Sequence, residues 1–166
     1  MAMRVTAIAA MALDRTIGTG TGIPWQLPED QRHFRGYTAG KALLLGRTTF
    51  EEMLGWFTDH RPITLSSNPS YKHPVATASV SSVADAIAAA EERSEHELVV
   101  CGGAKTYASA LPFTTDVILT EIDATFEGTA KFPPLPESKW RVVERTDYPK
   151  SSSNPLNFSI VHYQQR

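Results

Sequence analysis

Cysteine occurs once in the 166 residues, at Cys101, so no disulfide can close within the chain and stability must come from a packed core. A lone thiol fits a reducing compartment, and a cytoplasmic protein is expected. No apolar stretch approaches the ~20 residues that a membrane helix needs. The run Val5–Ala12 is short, contains Thr6 and leads straight into Asp14-Arg15, which suits a buried strand better than a secretion signal. There is no basic surplus: 16 Lys and Arg against 18 Asp and Glu leave a net charge of −2, so no nucleic-acid partner is expected. The histidines (His33, His60, His73, His96, His162) are scattered without metal-ligand spacing and Cys101 has no partner cysteine, so no metal site is expected. GxxxxGK[ST], a GxGxxG after the first strand and GxSxG are all missing, which removes P-loop enzymes, the common dinucleotide fingerprint and serine-elbow hydrolases.

What is present alternates strand and helix. Val5–Ala12 reads as a strand buried on both faces. Residues 17–27 mix Gly18, Gly20, Gly22 and Pro24 with bulky side chains and read as a long loop, a length that is often functional. Pro28 opens a helix with Glu29 and Asp30 in its first turn, ending near Gly40. Strands are expected at 42–45, 63–65, 75–78, 98–101 and 117–122, with helices at 47–54, 82–93 and 104–111. The helix at 82–93 has a serine cap. Residues 140–147 and 157–164 have no helix between them and should pair antiparallel. The pattern predicts one α/β domain over residues 1–166, with a mostly parallel eight-stranded sheet, an antiparallel C-terminal hairpin and about four flanking helices.

Ligands of open α/β sheets gather at the carboxyl ends of strands. Gly46-Arg47-Thr48-Thr49 follows one such end, Ser66-Ser67 another and Gly102-Gly103, with Lys105 close behind, a third. Taken singly, each is more often an ordinary turn or cap; together they suit a ligand with several phosphates. Asp30 shares a helix face with His33, Phe34 and Tyr37. By position alone it reads first as a solvated first-turn carboxylate. Turned into an apolar cleft instead, it would have a raised pKa and could hold a protonated heterocycle. His33 reads as a surface or packing residue.

Several segments resemble dihydrofolate reductases: Ile8-Ala9-Ala10, Asp14-Arg15-Thr16-Ile17-Gly18 and Ile23-Pro24-Trp25-Gln26-Leu27-Pro28-Glu29-Asp30 at the start. Leu45-Gly46-Arg47-Thr48-Thr49-Phe50-Glu51, Leu65-Ser66-Ser67, Val100-Cys101-Gly102-Gly103 with Tyr107, Leu119-Thr120-Glu121-Ile122-Asp123 and Lys131-Phe132-Pro133 follow with the family's spacing. The resemblance implies an oxidoreductase acting on a CH–NH bond, with NADPH as cofactor, dihydrofolate as substrate and antifolates as inhibitors. It implies a monomer.

On these positions it implies that Asp30, aided by Thr120, grips the pterin and supports protonation at N5, while hydride passes from the nicotinamide to C6. Trp25 would help hold a water, Ile23 would belong to a mobile loop over the nicotinamide, and Tyr107 would reach the nicotinamide side. Ile8, Ala9, Ala10 and Cys101 would line the pterin pocket, with Gln31, Phe34, Met53 and Phe57 around the ring and the aminobenzoyl group. The cofactor would meet Ala10, Ile17 and Gly18, then Gly46, Arg47, Thr48 and Thr49. It would further meet Leu65, Ser66 and Ser67, and the run Cys101, Gly102, Gly103, Ala104, Lys105, Thr106. Arg47 and Ser67 would select the 2′-phosphate, and the Gly-Gly bond would be cis.

The chain departs from the family at His60, where an arginine usually binds the substrate's glutamate tail. Arg61 or Arg35 would have to supply that charge, or the tail would be held less tightly. Thr129 stands where many members have an Asp. A related pteridine reductase or riboflavin-pathway pyrimidine reductase is the alternative reading.

Overall fold

The computed structural model describes residues 3–18, 27–126 and 128–166. In chain order its elements are β1 (Arg4–Ala12), β2 (Thr16–Gly18), α1 (Pro28–Thr38), β3 (Ala42–Gly46), α2 (Arg47–Glu52), β4 (Arg61–Leu65) and β5 (Ala78–Val80). There follow α3 (Val83–Glu92), β6 (Glu97–Val100), α4 (Ala104–Ala110), a 3₁₀ turn (Leu111–Phe113), β7 (Asp116–Ile122), β8 (Ala130–Lys131), β9 (Trp140–Tyr148) and β10 (Phe158–Gln165). Eight strands form one sheet in the order β5-β4-β3-β6-β1-β7-β10-β9, and β2 pairs with β8 separately. The fold is therefore the expected α/β class.

The chain divides into two compact units. The first holds the described residues up to Ala7 together with Thr38–Thr114. Here β1 pairs with β6, β6 with β3, β3 with β4 and β4 with β5, all parallel. Leu43, Leu44, Leu45, Leu98, Val99 and Val100 are fully buried, as strands covered on both faces require. Thr6 is tolerated among them because its hydroxyl donates to Glu97 Oε2 at 2.6 Å. Ser82 caps α3 by accepting the Asp85 N–H at 3.1 Å, as its sequence position predicts.

The second unit comprises Ile8–Tyr37 and Thr115–Arg166. Its strand β10 pairs antiparallel with both β7 and β9, which opposes Ile160 to Thr120 on one side and Thr146 on the other. Ala12, Leu27, Ile122 and Phe158 form its buried cluster, and Phe158 stacks on Tyr148 with ring centroids 4.9 Å apart.

Two local readings change. Ile17 and Gly18, expected as loop, belong to the short strand Thr16–Gly18, which pairs Thr16 with Lys131 and Gly18 with Ala130. Lys131 Nζ donates to Thr16 Oγ1 at 2.8 Å, and Arg15 Nη1 to the Phe132 carbonyl at 2.6 Å. The pairing depends on partners more than a hundred residues away, so local composition does not reveal it. The strand expected at 75–78 lies at Ala78–Val80 instead. Val75 sits in a turn, its N–H bonded to His73 Nδ1 at 3.1 Å, and it is 46% exposed.

Candidate active site

In the first unit, three strand ends and the loops after them line a groove of about 710 Å³. Gly46, Arg47, Thr48 and Thr49 come from β3 and α2; Leu65, Ser66, Ser67 and Asn68 follow β4; Gly103, Ala104, Lys105 and Thr106 open α4. A fourth segment, Ser81, Ser82 and Val83 after β5, also lines it, as does Ser109. Ser82 is expected only as a helix cap; the signal for its place in the groove is a serine pair just after a strand, as at Ser66-Ser67.

The glycines are there for close approach. The Gly46 N–H donates to the Gly102 carbonyl at 2.8 Å, and a Cβ on Gly46 would lie 2.7 Å from Thr106 Oγ1. Gly102 has φ +122°, a backbone that side chains rarely adopt, and the Gly102-Gly103 bond is cis. A Cβ on Gly103 would meet Thr49 Oγ1 at 3.2 Å. Gly46 and Gly103 are the N-caps of α2 and α4 and neither supplies a side-chain cap, in contrast to Ser82 of α3. Two helix starts thus keep first-turn N–H groups for a ligand, beside the Arg47 and Lys105 cations and four or more hydroxyls. The donor set fits an anionic, phosphorylated group.

Cys101 and Tyr107 are buried next to this groove, and burial pushes both well above their ordinary pKa ranges. Burial holds Cys101 as a thiol, its sulfur 3.6 Å from the Val99 carbonyl. Tyr107 keeps its hydroxyl proton; that oxygen lies 3.5 Å from where a Gly102 Cβ would sit.

In the second unit, Asp30 in the first turn of α1 accepts a hydrogen bond from the buried Thr120 Oγ1 at 2.5 Å. Burial raises the Asp30 pKa above the usual carboxylate range; the Thr120 bond and the nearby His33 pull the other way without cancelling it. Asp30 is therefore not a freely solvated first-turn carboxylate: it is half-buried and bonded to Thr120. Position on the helix cannot distinguish the two, because the decision lies with β7, ninety residues away.

His33, expected as a surface or packing residue, lies one turn further along α1 and is half-buried. Its Nε2 is buried without a hydrogen-bond partner among the described residues, and burial lowers its pKa while Asp30 raises it. Because the imidazole favours the ionised carboxyl, His33→Gln is expected to raise the Asp30 pKa further. A ¹³C carboxyl titration of both proteins checks this, and an unchanged or lower midpoint in the variant would contradict the coupling.

Of the other sequence-derived residues, Ile8 is buried while Ala9 and Ala10, further along β1, are partly exposed. Phe34 is half-buried; Gln31 and Arg35, one turn apart, are exposed. Met53 and Phe57 follow α2, with Phe57 stacked on Phe50 at 5.7 Å. Ile17 and Gly18 lie on β2. Ile23 and Trp25 lie outside the described residues.

His60 and Arg61 are committed elsewhere. The His60 side chain is 1% exposed, stacks on Trp56 at 4.5 Å and accepts the Thr58 N–H at Nδ1. Its proton therefore sits on Nε2, which faces Thr38 Oγ1 at 3.3 Å. Arg61 grips Glu95 with Nε and Nη2, and Nη2 also donates to the Gly40 carbonyl at 2.7 Å. A one-residue shift of the tail contact onto Arg61 would require breaking this bidentate pair.

A family model described as dihydrofolate reductase matches residues 4–165. The dihydrofolate reductase of Neisseria meningitidis serogroup A (strain Z2491) is 37% identical over 163 residues, covering 97% of this chain and 98% of that protein. That of Bacillus subtilis (strain 168) is 30% identical over 162 residues, covering 98% and 95%. A solved dihydrofolate reductase from Enterococcus faecalis, complexed with NADP(H) and RAB-propyl, superposes with a TM-score of 0.87 at 30% identity and covers 98% of this chain and 96% of its own.

Proposed function

The chain belongs to the dihydrofolate reductase family, an NADPH-dependent oxidoreductase family, and on that premise we propose which of its residues bind and which promote the reaction. The reaction is reduction of 7,8-dihydrofolate to 5,6,7,8-tetrahydrofolate, and the family match sets aside the related pteridine and pyrimidine reductases. NADPH, when bound, supplies the hydride from its nicotinamide C4 to the pterin's C6.

The observation that carries the assignment is the half-buried Asp30 held by the buried Thr120 hydroxyl. A carboxyl with a raised pKa presents two oxygens to the donor–donor edge of a pterin, N3–H and the 2-amino group. Those two donors favour the ionised form, so substrate binding and Asp30 ionisation are coupled. Thr120 keeps the carboxyl oriented, and the same carboxyl supports proton delivery to N5. Ile8, Ala9, Ala10, Phe34, Met53, Phe57 and Cys101 are assigned to the pterin and aminobenzoyl groups. Trp25 and Ile23 are assigned to the water near the pterin and to the loop that excludes solvent.

Gly46, Arg47, Thr48, Thr49, Leu65, Ser66, Ser67 and the turn Gly102–Lys105 are assigned to the cofactor, with Thr106 and Tyr107 beside them. Their fit is supported by the two glycine-capped helix starts. Arg47 and Ser67 are assigned to the 2′-phosphate, which selects NADPH over NADH. Ala10, Ile17 and Gly18 are likewise assigned to the cofactor. With Arg61 held by Glu95 and His60 buried, the tail carboxylate is assigned to Arg35, aided by Gln31, on the exposed side of α1.

We further infer a single catalytic domain over residues 1–166 that works as a cytoplasmic monomer. The edge strand β9 is exposed along most of its length and carries Arg141, Glu144, Arg145 and Asp147. Its partner β10 has an irregular register at His162/Tyr163; charges and bulges of this kind discourage edge-to-edge pairing.

Mixing purified protein with NADPH and dihydrofolate tests the reading: nicotinamide absorbance should fall only when both are present. A protein that binds NADPH yet leaves dihydrofolate unreduced would contradict it.

A further inference from the structure

Arg47 is half-exposed, and a long cation at a groove's edge normally samples many rotamers. Here three contacts confine it. Its guanidinium carbon lies 4.3 Å from the centroid of the Tyr71 ring, a cation–π placement. Its Nε meets Glu51 Oε2 at 3.3 Å, and the Tyr71 hydroxyl donates to that same oxygen at 2.9 Å. Arg47, Glu51 and Tyr71 thus form a closed triangle. Among the described residues the carboxylate that pairs with Arg47 engages Nε, so no carboxylate competes for its two terminal nitrogens.

Tyr71 also fixes a second wall of the groove. Its backbone N–H donates to the Asn68 carbonyl at 3.1 Å. Within the same turn the Ser70 N–H meets Asn68 Oδ1 at 3.0 Å, and the Asn68 N–H meets Ser66 Oγ at 3.1 Å. The turn that presents Ser66, Ser67 and Asn68 is therefore tied through Tyr71 to the arginine on α2. Tyr71 itself does not line the groove.

We propose that Tyr71 is a positioning residue for cofactor selection: it holds the Arg47 guanidinium and the Ser66–Asn68 turn in register for the 2′-phosphate of NADPH. This rests on the assignment of Arg47 to that phosphate. A pre-ordered arginine loses little freedom on binding, so the benefit falls on the phosphorylated cofactor alone. Glu51 is the second member of the device. It orients the guanidinium from the Nε side and, by accepting the tyrosine hydroxyl, keeps the ring beneath it.

The experiment is calorimetric titration of wild type, Tyr71→Phe, Tyr71→Leu and Arg47→Ala with NADPH and NADH, and with adenosine 2′,5′-bisphosphate and 5′-AMP as probes without a nicotinamide. Tyr71→Leu should weaken NADPH and the bisphosphate by about three- to tenfold while changing NADH and AMP by less than about twofold. Tyr71→Phe, which keeps the ring face, should retain most of the preference. In turnover, the loss should fall on KM for NADPH rather than on kcat. Equal weakening of all four ligands would mean a merely structural tyrosine, and an unchanged preference in Tyr71→Leu would mean none; either overturns the proposal. If Arg47→Ala removes the preference and Tyr71→Leu does not, the cofactor assignment stands and only Tyr71's part in it fails. If Arg47→Ala leaves the preference intact, the assignment fails and the proposal with it.

Discussion

Replacing Asp30 by Asn is expected to cut dihydrofolate turnover by about 10²–10⁴-fold and, at neutral pH, to make the folded protein more stable. The two effects share one cause. Burial penalises the charged carboxyl and raises its pKa in the folded state above the unfolded value. The folded chain then binds the Asp30 proton more tightly than the unfolded chain does. Its contribution to stability is fully present below the unfolded pKa and is lost as pH rises through the folded one. Asparagine is neutral throughout and can still accept the Thr120 hydroxyl that lies 2.5 Å from Oδ1. The gap in melting midpoint between variant and wild type should therefore be small in acid and widen toward neutrality. Thermal melts across that pH range, with turnover measured in parallel, check both halves. A variant less stable than wild type by the same margin at every pH would refute the buried-charge account, and retained turnover would refute the catalytic one. The coupling also predicts that dihydrofolate binding weakens as pH falls through the Asp30 pKa, because the proton competes with the pterin's two donors.

Gly46→Ala should destabilise the protein by about 1–3 kcal/mol and weaken NADPH binding by at least about tenfold. The methyl group would arrive 2.7 Å from Thr106 Oγ1, whereas its next neighbours, the Gly102 carbonyl and the Gly103 nitrogen, lie at 3.7 and 3.8 Å. Thr106 is buried on α4 and cannot swing away, so the strain would push apart the helix start at Gly46 and the one at Gly103. Because the clash is with a single atom, Thr106→Ala should relieve it. The double variant should be more stable than the sum of the two single changes implies, with a coupling of about 1 kcal/mol. Chemical denaturation and NADPH fluorescence titration of all four proteins measure it. Strict additivity would show that the contact does not set the spacing of the two loops.

Much of this was legible from local sequence. The alternation of apolar runs and helical faces foretold eight sheet strands and four helices. Pro28 and Ser82 marked helix starts, and glycines with hydroxyls after strand ends marked the segments that line the groove. These features are local: a cap, a pleat or a helical face is decided within a turn or two of chain, by propensity and by which side must be dry.

What the sequence left open was decided at long range. Whether Asp30 is a solvated first-turn carboxylate or a half-buried, bonded one depends on Thr120, and β2 forms by pairing with the distant β8. That His60 is sealed beneath Trp56, that Arg61 is spent on Glu95, and that Tyr71 comes up under Arg47 could not be read from spacing either. The physical reason is that a side chain's type sets what it can bond to, while its burial and its partner are set by packing. Both depend on segments that are distant in the chain and near only once the sheet has formed.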